Sequence, residues 1–160
     1  MTFEEFNAAD AAIARAALLR CCGSKRWAAA MLAQRPFRGR DTLLSTAESI
    51  WWTLDPADWL EAFSAHPCIG EKKLAAWSLQ EQNGMHSAST QVLEQLAAGN
   101  QEYERRFGWV FLVNATGKSG SEMLGLLQAR LTHQPEEELR IAAGEQAKIT
   151  ALRLSKLLEL

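Results

Sequence analysis

The residue best suited to chemistry in this 160-residue sequence is His66. An unperturbed histidine changes charge at about pH 6.5, so it can both give and take a proton under physiological conditions. Pro67 follows it, and a residue that precedes proline is kept out of the α region, which places His66 at the exit of a helix. The alternative is a loop histidine that caps the carbonyls of that helix, and spacing alone does not separate the two interpretations.

A second polar group lies downstream at helical spacing. Ser78, Glu81 and Gln82 stand at i, i+3 and i+4, so a single helix face would carry a hydroxyl, a carboxylate and an amide. Leu74 falls on the same face, and polar residues that continue an apolar stripe are typical of a lined pocket. A solvated helix end would show the same pattern.

Residues 109–114 form the one stretch that predicts extended backbone, because bulky and β-branched side chains follow a glycine without helical spacing. Within a helical protein such a segment leaves N–H and C=O groups that need partners. A polar planar ligand would suit them. The alternative is a buried linker that is hydrogen-bonded to neighbouring helices.

The other reactive side chains do not form a recognisable site. No two of His66, His86 and His133 have metal-ligand spacing, so no metal site is predicted. Cys68 stands near His66, but residues so close in a loop rarely point at each other as nucleophile and base. The three cysteines are therefore expected to be structural thiols in a reducing compartment.

Composition excludes several functional classes. There are 17 basic and 19 acidic residues, so no basic surplus exists to bind the phosphates of a nucleic acid. The longest apolar runs are far shorter than the roughly 20 residues that span a bilayer, which argues against a membrane protein. The first residues show no secretion signal, so we expect a cytoplasmic location. A hydrophobic content of 48% over this length favours one domain, residues 1–160.

Helix signals recur along the chain and predict an all-α fold, a single-domain helical bundle with one short extended segment near the site. The capping box that begins at Thr2 opens a first helix predicted to continue to about Arg20. The predicted N-caps of later helices are Ser24, Asp41, Ser87 and Ser119, and the predicted first-turn prolines are Pro56 and Pro135.

Three stretches taken together resemble one protein family. They are FSAHPCIG at 63–70, SLQEQ at 78–82 and YERRFGWVF at 103–111, and the family is the 2-oxo-4-hydroxy-4-carboxy-5-ureidoimidazoline (OHCU) decarboxylases of urate breakdown. The likeness extends over almost the whole chain. It implies an all-helical fold, conversion of OHCU to carbon dioxide and (S)-allantoin, neither metal nor organic cofactor, and a homodimer.

The resemblance also implies roles for individual residues. His66 would be the catalytic acid/base, with Glu81 oriented toward the substrate, and Pro67 would shape the pocket. The substrate would be held by two stretches, Ser78, Leu79, Gln80, Glu81 and Gln82, and, through backbone groups, Phe111, Leu112, Val113, Asn114 and Ala115.

One position departs from the family pattern. Where many relatives carry an arginine just after the extended segment, this chain has Thr116. Lys118, two residues on, could bind the substrate carboxylate as a point charge, although it lacks the bidentate geometry of arginine.

Two other functional classes compete with the decarboxylase. One is a domain that binds a purine metabolite without turnover, and the other is a helical interaction module, which would need an exposed apolar face. The joint presence of His66, Glu81 and Gln82 favours the enzyme.

Overall fold

The computed structural model describes residues 1–66 and 89–160, and these residues contain eight α-helices and no strand. The all-α prediction is confirmed. Across the described ranges, no helix combines the length and apolarity needed to cross a bilayer. The helices are α1 (Phe3–Ala8), α2 (Ala11–Cys21), α3 (Lys25–Ala33), α4 (Arg40–Thr53), α5 (Pro56–Ser64), α6 (Thr90–Phe107), α7 (Gly120–Arg130) and α8 (Pro135–Leu157).

Most helix starts lie where the sequence predicts them, because short polar side chains accept the first free N–H groups. Thr2 and Glu5 form the predicted capping box of α1. The hydroxyl of Ser24 accepts from the Trp27 N–H at 3.2 Å. Ser119 caps α7 in the same way, and α5 and α8 begin at their prolines.

The prediction of one continuous helix up to about Arg20 is wrong, because the chain leaves helical geometry at Ala9. A distant side chain stabilises this break. Nη1 of Arg35 donates to the carbonyls of Phe6 and Ala9, at 2.7 and 2.8 Å. Carbonyls that end a helix need such donors, and arginine supplies them here.

Two predicted caps are also misplaced. Gly39 is the N-cap of α4, and Asp41 lies in its first turn, where its charge still favours the positive end of the helix dipole. Helix α6 is capped by Ser89, whose hydroxyl accepts from the Val92 N–H at 3.2 Å. The predicted cap Ser87 lies outside the described residues.

The chain divides into two compact units. Unit 1 comprises Met1–Ala62 and Gln146–Leu160, and unit 2 comprises Phe63–Glu145. The core of unit 1 is built from the apolar faces of the first helices, with fully buried side chains such as Phe6, Leu18, Trp27, Met31 and Leu43.

The core of unit 2 lies between α6 and α7 and includes Leu96, Tyr103, Phe111, Met123 and Leu127. The two helices pack very closely. A β-carbon built on Gly99 of α6 would lie 2.5 Å from Cδ2 of Leu127 in α7. Glycine therefore permits an approach that no other residue allows without movement of Leu127.

Candidate active site

His66 lies just beyond the end of α5, as predicted. Its backbone N–H donates to the Phe63 carbonyl at 3.1 Å in a tight turn. The residue is largely shielded from solvent, with 8% of its surface exposed. A buried imidazole at a helix exit is suited to proton transfer.

The predicted extended stretch is neither helix nor strand, and we call residues 109–115 the connecting segment. Four of the five residues predicted to bind a ligand through their backbone, Phe111, Leu112, Val113 and Ala115, have only 2–4% of their surface exposed. Asn114 is half-buried, and its N–H lies 3.4 Å from Oε1 of Glu145. The segment thus runs through the interior of unit 2 without a strand to pair with among the described residues.

An aromatic contact joins the end of α5 to the start of this segment. The rings of Phe63 and Trp109 have centroids 6.2 Å apart, and both residues belong to unit 2. His66 follows Phe63 by three residues, and Phe111 follows Trp109 by two. The histidine and the connecting segment therefore lie in one region of unit 2.

Lys118 closes the turn that follows the connecting segment. Its Nζ donates to the Asn114 carbonyl at 2.7 Å, and its N–H donates to the Ala115 carbonyl at 3.1 Å. The Thr116 N–H lies 3.3 Å from Oδ1 of Asn114 and so fixes that side chain. An ammonium has three N–H donors, and the Asn114 carbonyl takes one of them. Binding of a substrate carboxylate by the others stays a prediction.

A buried ion pair contacts the connecting segment, and it was not predicted from the sequence. Arg130 and Glu138 have 5% and 0% of their surfaces exposed, and Nε of Arg130 donates to Oε1 of Glu138. The other end of the guanidinium, Nη1, donates to the Leu112 carbonyl. The available signal was that Met123, Leu127 and Arg130 continue one apolar stripe of α7, at i, i+4 and i+7.

Tyr103 links this pair to the start of the segment. Its hydroxyl accepts from Nε1 of Trp109 at 3.0 Å and lies 3.4 Å from Nη2 of Arg130. Burial raises the pKa of the Tyr103 hydroxyl far above its usual value, which keeps it neutral. The hydroxyl therefore serves as a hydrogen-bonding group between Trp109 and Arg130.

The rest of the predicted site falls outside the described residues. This applies to Pro67 and to the whole stretch Ser78, Leu79, Gln80, Glu81 and Gln82. Among the residues that are described, no group of three histidine, cysteine or acidic side chains is placed to hold a metal ion.

Comparison with known proteins assigns the family. The model of the OHCU decarboxylase family matches residues 7–155. The chain is 40% identical over 146 residues to the uric acid degradation bifunctional protein TTL of Arabidopsis thaliana, covering 86% of this chain and 45% of that protein. It is 33% identical to the 2-oxo-4-hydroxy-4-carboxy-5-ureidoimidazoline decarboxylase of Mus musculus, covering 82% of this chain and 78% of the mouse protein.

Solved structures agree with this assignment. A crystal structure of OHCU decarboxylase in the presence of (S)-allantoin superposes with a TM-score of 0.79 at 38% identity, covering 89% of this chain and 96% of that one. A crystal structure of (S)-allantoin synthase shares the fold, with a TM-score of 0.75 at 21% identity, covering 99% of this chain and 54% of that one. The chain therefore belongs to the OHCU decarboxylase family.

Proposed function

We propose that this chain decarboxylates OHCU to (S)-allantoin in urate degradation, with His66 as the acid/base and with no cofactor. The observation that carries the proposal is the family match over residues 7–155, in a chain whose unit 2 contains both a buried histidine and a buried non-helical segment. The chain spans less than half of the Arabidopsis relative, so the proposal concerns the activity of this chain alone.

The decarboxylation requires few groups from the protein. The substrate carries a ring C=N conjugated to the bond that breaks, so the electron pair released with carbon dioxide enters the ring system. In this proposal His66 accepts the proton of the ring hydroxyl as carbon dioxide leaves. Uptake of a proton by the ring nitrogen of the former C=N leaves an enolate, and protonation of its ureido-bearing carbon on one face then gives the S configuration.

The connecting segment would hold the ring. Its residues are largely buried, and the carbonyls of Leu112, Asn114 and Ala115 are held by hydrogen bonds. Hydrogen bonds from a buried backbone to a planar polar ring are strong. Glu81 and Gln82 would hold the ureido group, and Lys118 would face the carboxylate. Each of these contacts belongs to the proposal.

The wider setting is also proposed. We take residues 1–160 as one family domain, expect a homodimer that light scattering would detect, and place the protein in the cytoplasm. The small-molecule substrate follows from the family assignment.

The test is circular dichroism of allantoin formation from freshly generated OHCU, with wild-type protein, His66→Ala and buffer. Because OHCU decays spontaneously to racemic product, the one-handed signal reports catalysis. A positioned acid/base contributes about 10² to 10⁴ in rate, so His66→Ala should lower kcat/KM by about 10² or more.

Ser64→Ala is the matched control, since it changes an exposed side chain at the same helix end and should retain activity. A loss under about fivefold in His66→Ala would contradict the acid/base role. A wild-type signal no faster than buffer would contradict the decarboxylase, and allantoin binding without turnover would then indicate a metabolite-binding domain.

A further inference from the structure

Arg130 makes three directed contacts in the interior of unit 2. Nε donates to Oε1 of Glu138, Nη1 donates to the Leu112 carbonyl, and Nη2 lies 3.4 Å from the Tyr103 hydroxyl. The guanidinium carbon also lies 4.6 Å from the centre of the Phe111 ring. Arg130 therefore contacts both the first side chain and the second carbonyl of residues 111–115, the stretch predicted to bind the substrate.

Burial of this charge is costly unless it is paired, and Glu138 provides the pairing. The carboxylate also fixes the guanidinium plane, because Nε is 3.3 Å from its second oxygen as well. A planar, fully charged donor held on one side by Glu138 has little freedom on the other. The direction of the Leu112 carbonyl is set accordingly.

That carbonyl shares a peptide unit with the Val113 N–H. The only cis peptide in residues 1–66 and 89–160 is Arg35–Pro36, so the Leu112–Val113 bond is trans and planar. In a trans peptide the C=O and N–H point in opposite directions. Because the Leu112 carbonyl points toward Arg130, the Val113 N–H points away from Arg130.

The Val113 N–H has no hydrogen-bond partner in the part of the chain that the structure describes. Val113 itself is buried, with 3% of its surface exposed. A buried N–H needs an acceptor, and the neighbouring N–H groups of Phe111 and Leu112 also have none among the described residues. Val113 differs from them because Arg130 fixes the carbonyl of its own peptide unit. The Val113 N–H is a donor that awaits an acceptor.

We propose that Arg130, fixed by Glu138, is a positioning residue that orients the Leu112–Val113 peptide so that the Val113 N–H donates to a carbonyl oxygen of the substrate ring. The inference rests on the proposed function, and it adds a residue that acts on the substrate only through the backbone. Arg130 is not itself a catalytic residue.

Arg130→Lys is the test, because lysine keeps the charge beside Glu138 but cannot donate in two fixed directions at once. We expect KM for OHCU to rise roughly 3- to 10-fold, the range for loss of the neutral hydrogen bond from the Val113 N–H to the substrate. The pH profile of kcat should not move, because His66 is untouched. In wild-type protein, (S)-allantoin should shift the Val113 amide resonance, and this shift should be lost in the variant.

Leu43→Ala is the control for lost stability, since Leu43 is fully buried in unit 1 and its truncation weakens the core. Leu43→Ala should leave KM unchanged even if its unfolding midpoint is lowered as much as that of Arg130→Lys. If Arg130→Lys does not fold, Glu138→Gln takes its place. It keeps an acceptor for Nε, loses the charge, and should raise KM roughly threefold or more.

A folded Arg130→Lys or Glu138→Gln with KM within about twofold of wild type would overturn the inference and leave the proposed function intact. An unchanged Val113 resonance in wild-type protein with allantoin would also overturn it. Absence of turnover in wild-type protein itself would instead identify a failure of the proposed function.

Discussion

The two compact units treat buried polar groups differently. In unit 1 the buried contacts are made by neutral groups: the Ser24 hydroxyl caps α3, and the indole Nε1 of Trp27 and of Trp59 donate to the carbonyls of Ala47 and Trp51, each at 3.0 Å. In unit 2 the buried contact is made by a charged pair: Arg130 is paired with Glu138 and donates to the Leu112 carbonyl.

The difference follows from the backbone. A helix satisfies its own N–H and C=O groups, so the fully buried contacts of unit 1 need only a few neutral donors, and the charged donor Arg35 at the end of α1 is only half-buried. The connecting segment of unit 2 has no such internal pairing and must recruit side chains. Where a fold carries buried non-helical backbone, a buried charge is to be expected close to it.

The largest effect should come from Glu138→Ala, which leaves the Arg130 charge buried without its carboxylate. Loss of one partner of a buried pair costs about 3–5 kcal/mol, so the free energy of unfolding should fall by that amount in a urea titration. Glu137→Ala is the control, because that neighbouring carboxylate is exposed. It should cost under about 1 kcal/mol. Similar losses in the two variants would remove the contrast between the units.

A smaller effect is expected from Ser24→Ala, the neutral counterpart in unit 1. An N-cap substitution costs about 1 kcal/mol, and Ser24 is fully buried, so its loss should lie at or above that value in the same titration. The exposed cap Ser89 provides the comparison in unit 2, with a smaller loss for Ser89→Ala. A Ser24→Ala loss near that of Glu138→Ala would show that charge is not what distinguishes the units.

The smallest effect concerns the buried thiols of unit 1. Burial raises the pKa of Cys21 from 9.0 to about 12 and that of Cys22 to about 11. Because the unfolded thiols ionise first, stability is complete below pH 9 and falls as the pH rises from there toward these values. Between pH 8 and pH 10 the stability of wild-type protein should fall by about 1 kcal/mol more than that of Cys21→Ala. Parallel pH curves would contradict this.

Local signals were sufficient to predict most helix boundaries, because a cap such as Ser24 or a proline such as Pro56 acts within a few residues. The break at Ala9 was missed because it depends on Arg35, 26 residues away. The placement of His66 was predicted correctly, since the rule for a residue before proline is also local.

The buried pair was missed for a related reason. Arg130 and Glu138 belong to different helices, and charged residues are ordinarily expected at the surface. The proposed role of the pair also depends on its hydrogen bond to the Leu112 carbonyl, and a backbone acceptor cannot be recognised from a pattern of side chains. The roles of Glu81 and its neighbours come from the family resemblance and stay predictions.

The close packing at Gly99 has a consequence for how this sequence can diverge. A β-carbon at that position would overlap Leu127, so a larger residue is tolerated only if the Leu127 side chain moves or if position 127 becomes smaller at the same time. The two positions should therefore covary among descendants of this chain. Gly125 and Gly144, where an added β-carbon meets no atom within 4 Å of the described structure, are under no such mutual constraint.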